Sequence, residues 1–217
     1  MSSRQTILAR IRANLGKVGD EPTEEEPVSV QQYIDLHTHG PRPKADWIDF
    51  TERFASRAKA LGSTVELISS IGDAPSAVRA YLEKNALAKA GVCWPELVAL
   101  RWQDSDIKLD ARPAKDGDLV GVTGAFCGIA ETGTLMLLSG AEMPPSTSLL
   151  PETHIAIINV ARIVKGMEEA WALLRTDRKK IPRAVNFISG PSRTADIEQT
   201  IVIGAHGPYR VHIVIVK

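Results

Sequence analysis

The chain has 217 residues, 44% hydrophobic and 24% charged, with 26 basic and 26 acidic side chains. That length can bury one good apolar core, and the even charge balance argues against a nucleic-acid partner drawn in by net charge. No apolar run approaches the roughly 18 residues of a membrane span, and the opening MSSRQTILARIRANLGK is too charged for a signal peptide, so a cytoplasmic protein is expected.

Ile7, Ile11 and Leu15 recur every four residues beside Leu8, with Arg4, Arg10 and Arg12 on the remaining surface. This spacing predicts an amphipathic helix closed by Gly16. Val18 to Val30 then carries two prolines and five acids, Asp20, Glu21, Glu24, Glu25 and Glu26, and reads as a loosely packed linker. Residues 1–30 are thus expected to form a helical arm and acidic linker, docking on their own domain or on a partner. Residues 31–217 are expected to be a single α/β domain. Asp35, His37 and His39 have the Asp-x-His-x-His spacing of some metal hydrolases, and in an extended segment the two histidines would share a face. The stretch runs into Pro41 and Pro43, however, and no evident carboxylate or histidine cluster completes a site. A surface connector is expected there, with no metal.

Trp47, Phe50, Phe54, Ala58 and Leu61 keep helical spacing, and Gly62 stops the helix. Residues 64–69 predict a strand, and Asp73, Ala74 and Pro75 open another helix bearing Val78 and Leu82. VCW and LVALRW suggest short core strands. The alternation of helix and strand predicts an α/β fold with a mostly parallel central sheet and flanking helices.

Residues 119–124, 133–140 and 154–160 are nearly continuous apolar runs, which suit strands covered on both faces. Between the last two, residues 140–151 form a proline-stiffened crossing. Leu149 and Leu150 are expected to seal the sheet, while Ser146, Thr147 and Ser148 could face the same mouth as Glu131. Met167 to Leu174 is helical. The basic run after it, Arg175, Arg178, Lys179, Lys180 and Arg183, reads as a solvated face or partner contact and lacks aromatics for base stacking. Residues 184–190 and 211–217 complete the strand set, with weakly alternating VHIVIV as a late or edge strand. Cys93 and Cys127 read as buried free thiols, a catalytic Cys127 being the alternative. With no second pair, the chain alone does not offer a zinc or iron–sulfur ligand set.

Two polar clusters fall at strand ends. In the first, Glu131, Thr132, Gly133 and Thr134 combine backbone freedom with hydroxyls beside exposed amides, which can cradle a phosphate or carboxylate. A tight sheet turn is the alternative. In the second, SGPSRTADIEQTIVIGAHGP (189–208), Gly190 and Pro191 break a strand, and Ser192 or Thr194 can cap a short helix over Ala195 to Thr200. First-turn amides at the strand's carboxyl end, with Arg193 beside them, would favour an anion. Asp196 and Glu198 also stabilise such a helix without a ligand. His206, held before Gly207 and Pro208, could act as a base or an anion ligand.

Three blocks of this sequence together resemble the lactate-utilisation protein C family of the LUD-domain group. They are Ile129–Ala130–Glu131–Thr132–Gly133–Thr134, then Leu150–Pro151–x–x–His154–Ile155–Ala156, then Ser189 through Glu198 followed by Gly204–Ala205–His206–Gly207–Pro208. The resemblance runs from about residue 119 to the end and is fainter in the helices before it. It implies a core like that of the ribose-5-phosphate isomerase, glucosamine-6-phosphate deaminase and CoA-transferase superfamily. It also implies a role in oxidising L-lactate to pyruvate within a cytoplasmic complex, alongside two iron–sulfur lactate-utilisation proteins that hold the clusters. CoA transferases of that superfamily use a glutamate nucleophile, and Glu131 invites the comparison, but the family's catalytic residues do not carry over residue by residue.

The expected site joins both clusters around a small carboxylate or phosphate. Arg193 would bind the anion, His206 would relay a proton with Glu131 as the other catalytic candidate, and Thr132, Gly133, Thr134, Ser192 and Thr194 would orient the ligand. The sequence does not identify the electron acceptor as flavin, nicotinamide or iron–sulfur. Two other classes stay open. One is a stand-alone transferase, isomerase or ligase acting on a phosphorylated, folate-like or CoA-linked substrate. The other is a non-catalytic structural subunit.

Overall fold

The amino-terminal unit, Met1–Lys44, contains two helices. Helix α1, Ser3–Asn14, begins at Ser2, whose hydroxyl accepts from the Gln5 amide while the Gln5 side chain accepts from the Ser2 amide. This reciprocal cap satisfies two otherwise orphaned donors. Where a linker through Val30 is expected, helix α2 instead spans Glu25–Leu36. Its sequence permits this: Glu25 and Glu26 lie in the first turn, where acids meet the positive end of the helix dipole, and Pro27 sits where a backbone donor has no helical partner. Glu26 also pairs with Arg12 and Lys17, each at 3.1 Å, and those two cations pull its carboxyl below the ordinary range. The apolar side chains Ile7, Leu8 and Ile11 of α1 and Leu15 at its carboxyl cap remain exposed. The histidine segment is not extended throughout. Asp35 is helical and His37 caps α2 in the left-handed region at φ 45°, so the shared strand face required of a metal pair is not formed. Among the described residues no group of three or more His, Cys, Asp or Glu side chains is placed to hold a metal ion.

The structure, a computed structural model, describes residues 2–17, 23–42, 46–178, 180–195 and 202–217. Its second unit is Ala45–Lys217. Helix α3, Phe50–Ala60, is capped by Asp49, whose carboxylate accepts from the Thr51 and Glu52 amides. Strand β1 (Thr64–Ile68), helix α4 (Ala74–Lys84), β2 (Ala90–Cys93) and β3 (Lys108–Ala111) follow. Next come β4 (Val120–Gly124), β5 (Cys127–Ile129), β6 (Thr134–Leu138) and the single-turn helix α5 (Ser146–Leu149). The chain continues with β7 (Thr153–Asn159), β8 (Ile163–Val164), α6 (Met167–Asp177), β9 (Val185–Ile188), β10 (Arg193–Thr194), β11 (Val202–Ile203) and β12 (Arg210–Val216).

The central sheet is six-stranded and parallel throughout, in the order β1-β12-β7-β4-β2-β3. The mostly parallel α/β expectation is met. Three details differ. Strands 134–138 and 185–188 belong to a second, mixed sheet, β8-β5-β6-β9, because β5 turns back on β6 in a tight antiparallel hairpin. VHIVIV is interior, paired with β1 on one side and β7 on the other. LVALRW is not a strand: Pro95–Leu97 and Trp102–Ser105 form 3-10 turns, tied by a 2.7 Å bond from Trp102 Nε1 to the Leu97 carbonyl.

Alternation along each central strand sorts side chains between the two faces. Val120, Val122, Ile155, Ile157, Val214 and Val216 pack with Val78 and Leu82 of α4. Ala156, Ile158, Val211, Ile213 and Ile215 pack with Phe54 and Ala58 of α3 and with Leu135 and Leu137 of the second sheet. The outer face of that sheet, Cys127, Ile129, Met136 and Leu138, is covered by Ala170 and Leu174 of α6. Chain direction across the central sheet reverses at one place: β2 continues outward to β3, whereas its neighbour β4 leads the other way to β7.

Candidate functional site

The first polar cluster is the turn between β5 and β6. Its Gly133 amide donates to the Ile129 carbonyl at 2.8 Å, and Gly133 itself has φ 72°. A Cβ at that position would collide with backbone atoms of Arg57 and Ala58, so the turn lies directly on α3. The Glu131 amide is tied to the Lys165 carbonyl at 3.0 Å, and its side chain is half-buried. From this turn a chain of hydroxyls runs outward. Thr132 donates to Thr134 at 2.8 Å, and Thr134 meets Ser189 at 2.6 Å. Thr134 is buried and Ser189 is exposed, so the chain leads from the core to the surface.

Ser189 begins the second cluster, and the glycine after it repeats the device of the first. Gly190 has φ 76°, and a Cβ there would strike the Leu61 carbonyl at the end of α3. Arg193 returns to that same carbonyl, donating from Nη2 at 3.1 Å, and its guanidinium lies over Gly62. Ser192 joins the histidine loop: its amide donates to Pro208 and its carbonyl accepts from Gly204, each at 2.9 Å. His206 in that loop is exposed, as is Arg193, while Thr194 is half-buried.

The two clusters are therefore neighbours, joined by the Thr134–Ser189 bond and by a shared seat on the carboxyl-terminal end of α3. Two features differ from expectation. Arg193 and Thr194 form strand β10, paired antiparallel with Ile203 and Val202, so Ser192 leads into a strand and caps no helix. Of the helix expected over Ala195 to Thr200, residues 196–200, with Asp196 and Glu198, lie outside the described residues. The cluster also sits beside Leu61–Gly62, just before β1, and beside Pro208, just before β12. This is the amino end of the parallel sheet, not the carboxyl end. The crossing loop also departs from expectation. Leu149 and Leu150 are exposed, while Thr147 and Ser148 are buried, and the Thr147 carbonyl fills the space a side chain at Gly121 would need.

Sequence reasoning missed the polar groups inside the sheet and at its opposite end. His154 is fully buried with Nε2 at 2.8 Å from the Thr123 hydroxyl, and burial pushes its pKa down to about 4. His212 bonds Thr64 through Nδ1 at 2.8 Å and stacks on Tyr81 at 3.9 Å, and burial likewise lowers it to about 4. Both rings are neutral at physiological pH. At the carboxyl ends of β2 and β4 a recess of about 170 Å³ is lined by Trp94, Glu96, Ala125, Phe126, Leu138, Met143, Arg162 and Arg178. Arg162 is fixed there by bonds to the Phe126 carbonyl at 2.9 Å and to Asp177 at 2.8 Å, and it stacks on the Phe126 ring. The two thiols lie in different cores, and burial raises Cys93 to about 11 and Cys127 to about 12. At neutral pH both are therefore held as thiols and not as the nucleophilic thiolates.

Among known proteins, the family model described as LUD domain matches residues 51–216. The chain is 40% identical over 118 residues to a protein named Lactate utilization protein C 1 from Bacillus mycoides, covering 53% of this chain and 50% of that one. It is 35% identical over 128 residues to Lactate utilization protein C of Bacillus subtilis, covering 57% and 53% respectively. The chain thus spans about half the length of the curated relatives it matches. A crystal structure of a DUF162 family protein from Deinococcus radiodurans shares the fold, with a TM-score of 0.58 and 24% identity, covering 77% of this chain and 96% of that one.

Proposed function

The chain belongs to the LUD domain family, and from that premise we propose that it is a subunit of a cytoplasmic system oxidising L-lactate to pyruvate. The observation that carries the reading is its 35–40% identity to proteins named for lactate utilisation. That no helix among the described residues is long and apolar enough to cross a membrane is compatible with it. Oxidation of lactate releases two electrons and two protons. Two iron–sulfur lactate-utilisation proteins are the proposed partners, and their clusters would take the electrons. The division of labour is supported by Cys93 and Cys127, whose burial in separate cores leaves this chain without a thiolate set of its own.

In this reading the chain contributes a small-anion site at the seam described above. Arg193 holds the carboxylate through a charge-assisted contact. Thr132, Thr134 and Ser192 orient it, the Gly133 turn and Thr194 shape the wall, and His206 with Glu131 moves a proton. The exposed end of the hydroxyl chain at Ser189 supports this assignment, since it carries hydrogen-bonded hydroxyls from the buried Thr134 to the surface. The test is reconstitution. Lactate oxidation by the mixture of this chain and its two partners should fall at least tenfold when Arg193→Ala replaces the native chain, since a charged hydrogen bond contributes about 1.5–3 kcal/mol. Equal oxidation by the partners with and without this chain would sink the subunit role.

A second reading is favoured by one observation, the exposed Ile7, Leu8 and Ile11 of α1 with Leu15 at its cap. If the chain is a structural subunit, removing residues 1–17 abolishes assembly. The double variant Arg193→Ala, His206→Ala then leaves oxidation unchanged.

A further inference from the structure

Ligands of open α/β sheets bind outside the carboxyl ends of strands, at the point where chain direction across the sheet reverses. Here that point lies between β2 and β4, and the 170 Å³ recess opens there. Trp94 and Glu96 follow β2, and Ala125 and Phe126 follow β4. The backbone makes room for the acid: a Cβ on Gly124, the last residue of β4, would collide with Glu96 Oε1. Trp94 is held by a bond from Nε1 to the Pro144 carbonyl at 3.2 Å, so the inner wall is fixed. Arg162 is fixed too, through Phe126 and Asp177. The rim therefore presents the guanidinium of Arg162, already paired with Asp177, together with Arg178 and the Glu96 carboxylate around an apolar wall of Ala125, Leu138 and Met143.

These groups sort a ligand by chemistry. Guanidinium groups recognise a carboxylate, Glu96 accepts a hydrogen bond or pairs with a cation, and the wall takes a methyl-sized group. The volume lies below the range of about 300–1,000 Å³ usual for drug-sized ligands, which restricts the occupant to a few heavy atoms. We infer that the recess binds a short carboxylic acid with a hydrogen-bond donor on its second carbon. Arg162 and Arg178 take the carboxylate and Glu96 takes the donor. A hydroxy acid and an amino acid share this chemistry. The inference does not depend on the lactate reading, and binding of an amino acid alone would leave it standing.

The test is titration of the full chain, labelled with nitrogen-15, with L-lactate, L-alanine and propionate, three acids of nearly equal size. Saturable shifts are expected at the amides of Trp94, Glu96, Ala125 and Phe126 with L-lactate or L-alanine, and which of the two binds identifies the donor. Propionate, which lacks a donor, should bind about tenfold more weakly, the loss expected for one hydrogen bond to a charged acceptor. Arg178→Ala should weaken the preferred acid by a similar factor, and Glu96→Leu should remove its advantage over propionate. Arg178 and Glu96 are both exposed, so both variants should fold, and the three-acid comparison on the native chain needs neither. The inference is overturned if propionate binds as tightly as the other two, or if none of the three acids gives a saturable shift. Shifts confined to Ser192 and Arg193, or an Arg178→Ala affinity equal to the native one, also overturn it.

Discussion

The two ends of the parallel sheet are built by different means. At the amino end, backbone meets backbone: Gly133 and Gly190 press onto α3, and Arg193 hydrogen-bonds a main-chain carbonyl. At the carboxyl end, long side chains meet a glycine: the Glu96 carboxylate lies over Gly124, and arginines form the rim. A seam of main chain is rigid and intolerant, whereas a rim of side chains can be edited. Loss of function at the amino end will therefore be hard to separate from loss of fold, and at the carboxyl end the two come apart.

Acid gives the largest test of this contrast. His154 and His212 lie near the amino ends of β7 and β12, with pKa values lowered from 6.5 to about 4. Between those values the unfolded chain binds protons that the folded chain refuses, so stability is complete above about pH 6.5 and falls as pH drops toward 4. The loss is on the order of 3 kcal/mol for each ring. Urea unfolding at pH 7 and pH 4 measures it, and equal midpoints would mean that the rings are not buried neutral.

Gly133→Ala should cost about 3 kcal/mol or more, because it combines a left-handed backbone with a main-chain collision. Thr123→Val removes the hydroxyl bonded to His154 Nε2 and should cost about 1–3 kcal/mol, read from the same unfolding curves. Gly124→Ala should cost about 1 kcal/mol or less, since only the end of the Glu96 side chain must move. It should nevertheless disturb binding in the recess. Equal losses from Gly133→Ala and Gly124→Ala would erase the distinction between the two ends.

Much of this architecture was legible in the sequence. The continuous apolar runs at 119–124 and 154–160 became interior parallel strands, and Gly62 marked the end of α3 as its spacing foretold. Assignment of strands to two sheets was not legible, because the hydrophobicity of 134–138 is equally suited to either. VHIVIV read as an edge strand because His212 made it alternate, yet Thr64 and Tyr81 satisfy that ring inside the sheet. The acids and prolines of residues 18–30 suggested a linker, but several of them suit the first turn of a helix. Neighbouring of the Thr134 and Ser189 clusters emerged from a 55-residue separation that no local pattern encodes. The carboxyl-end recess was hidden for a deeper reason. It depends on strand order, and Trp94 and Glu96 lie far along the chain from Arg162 and Arg178.

The place of β12 has a consequence for how the molecule is made. Thr64 and His212 touch across 148 positions of sequence, and β12 is the strand on which β1 lies. Contacts of such long span form slowly, since the entropy of closing the loop comes before any reward. A chain interrupted before Arg210 would leave β1 with nothing beside it and one flank of β7 bare, two sticky margins on a half-finished product. Pairing of β12 is thus the step that covers one flank of β1 and one of β7 together.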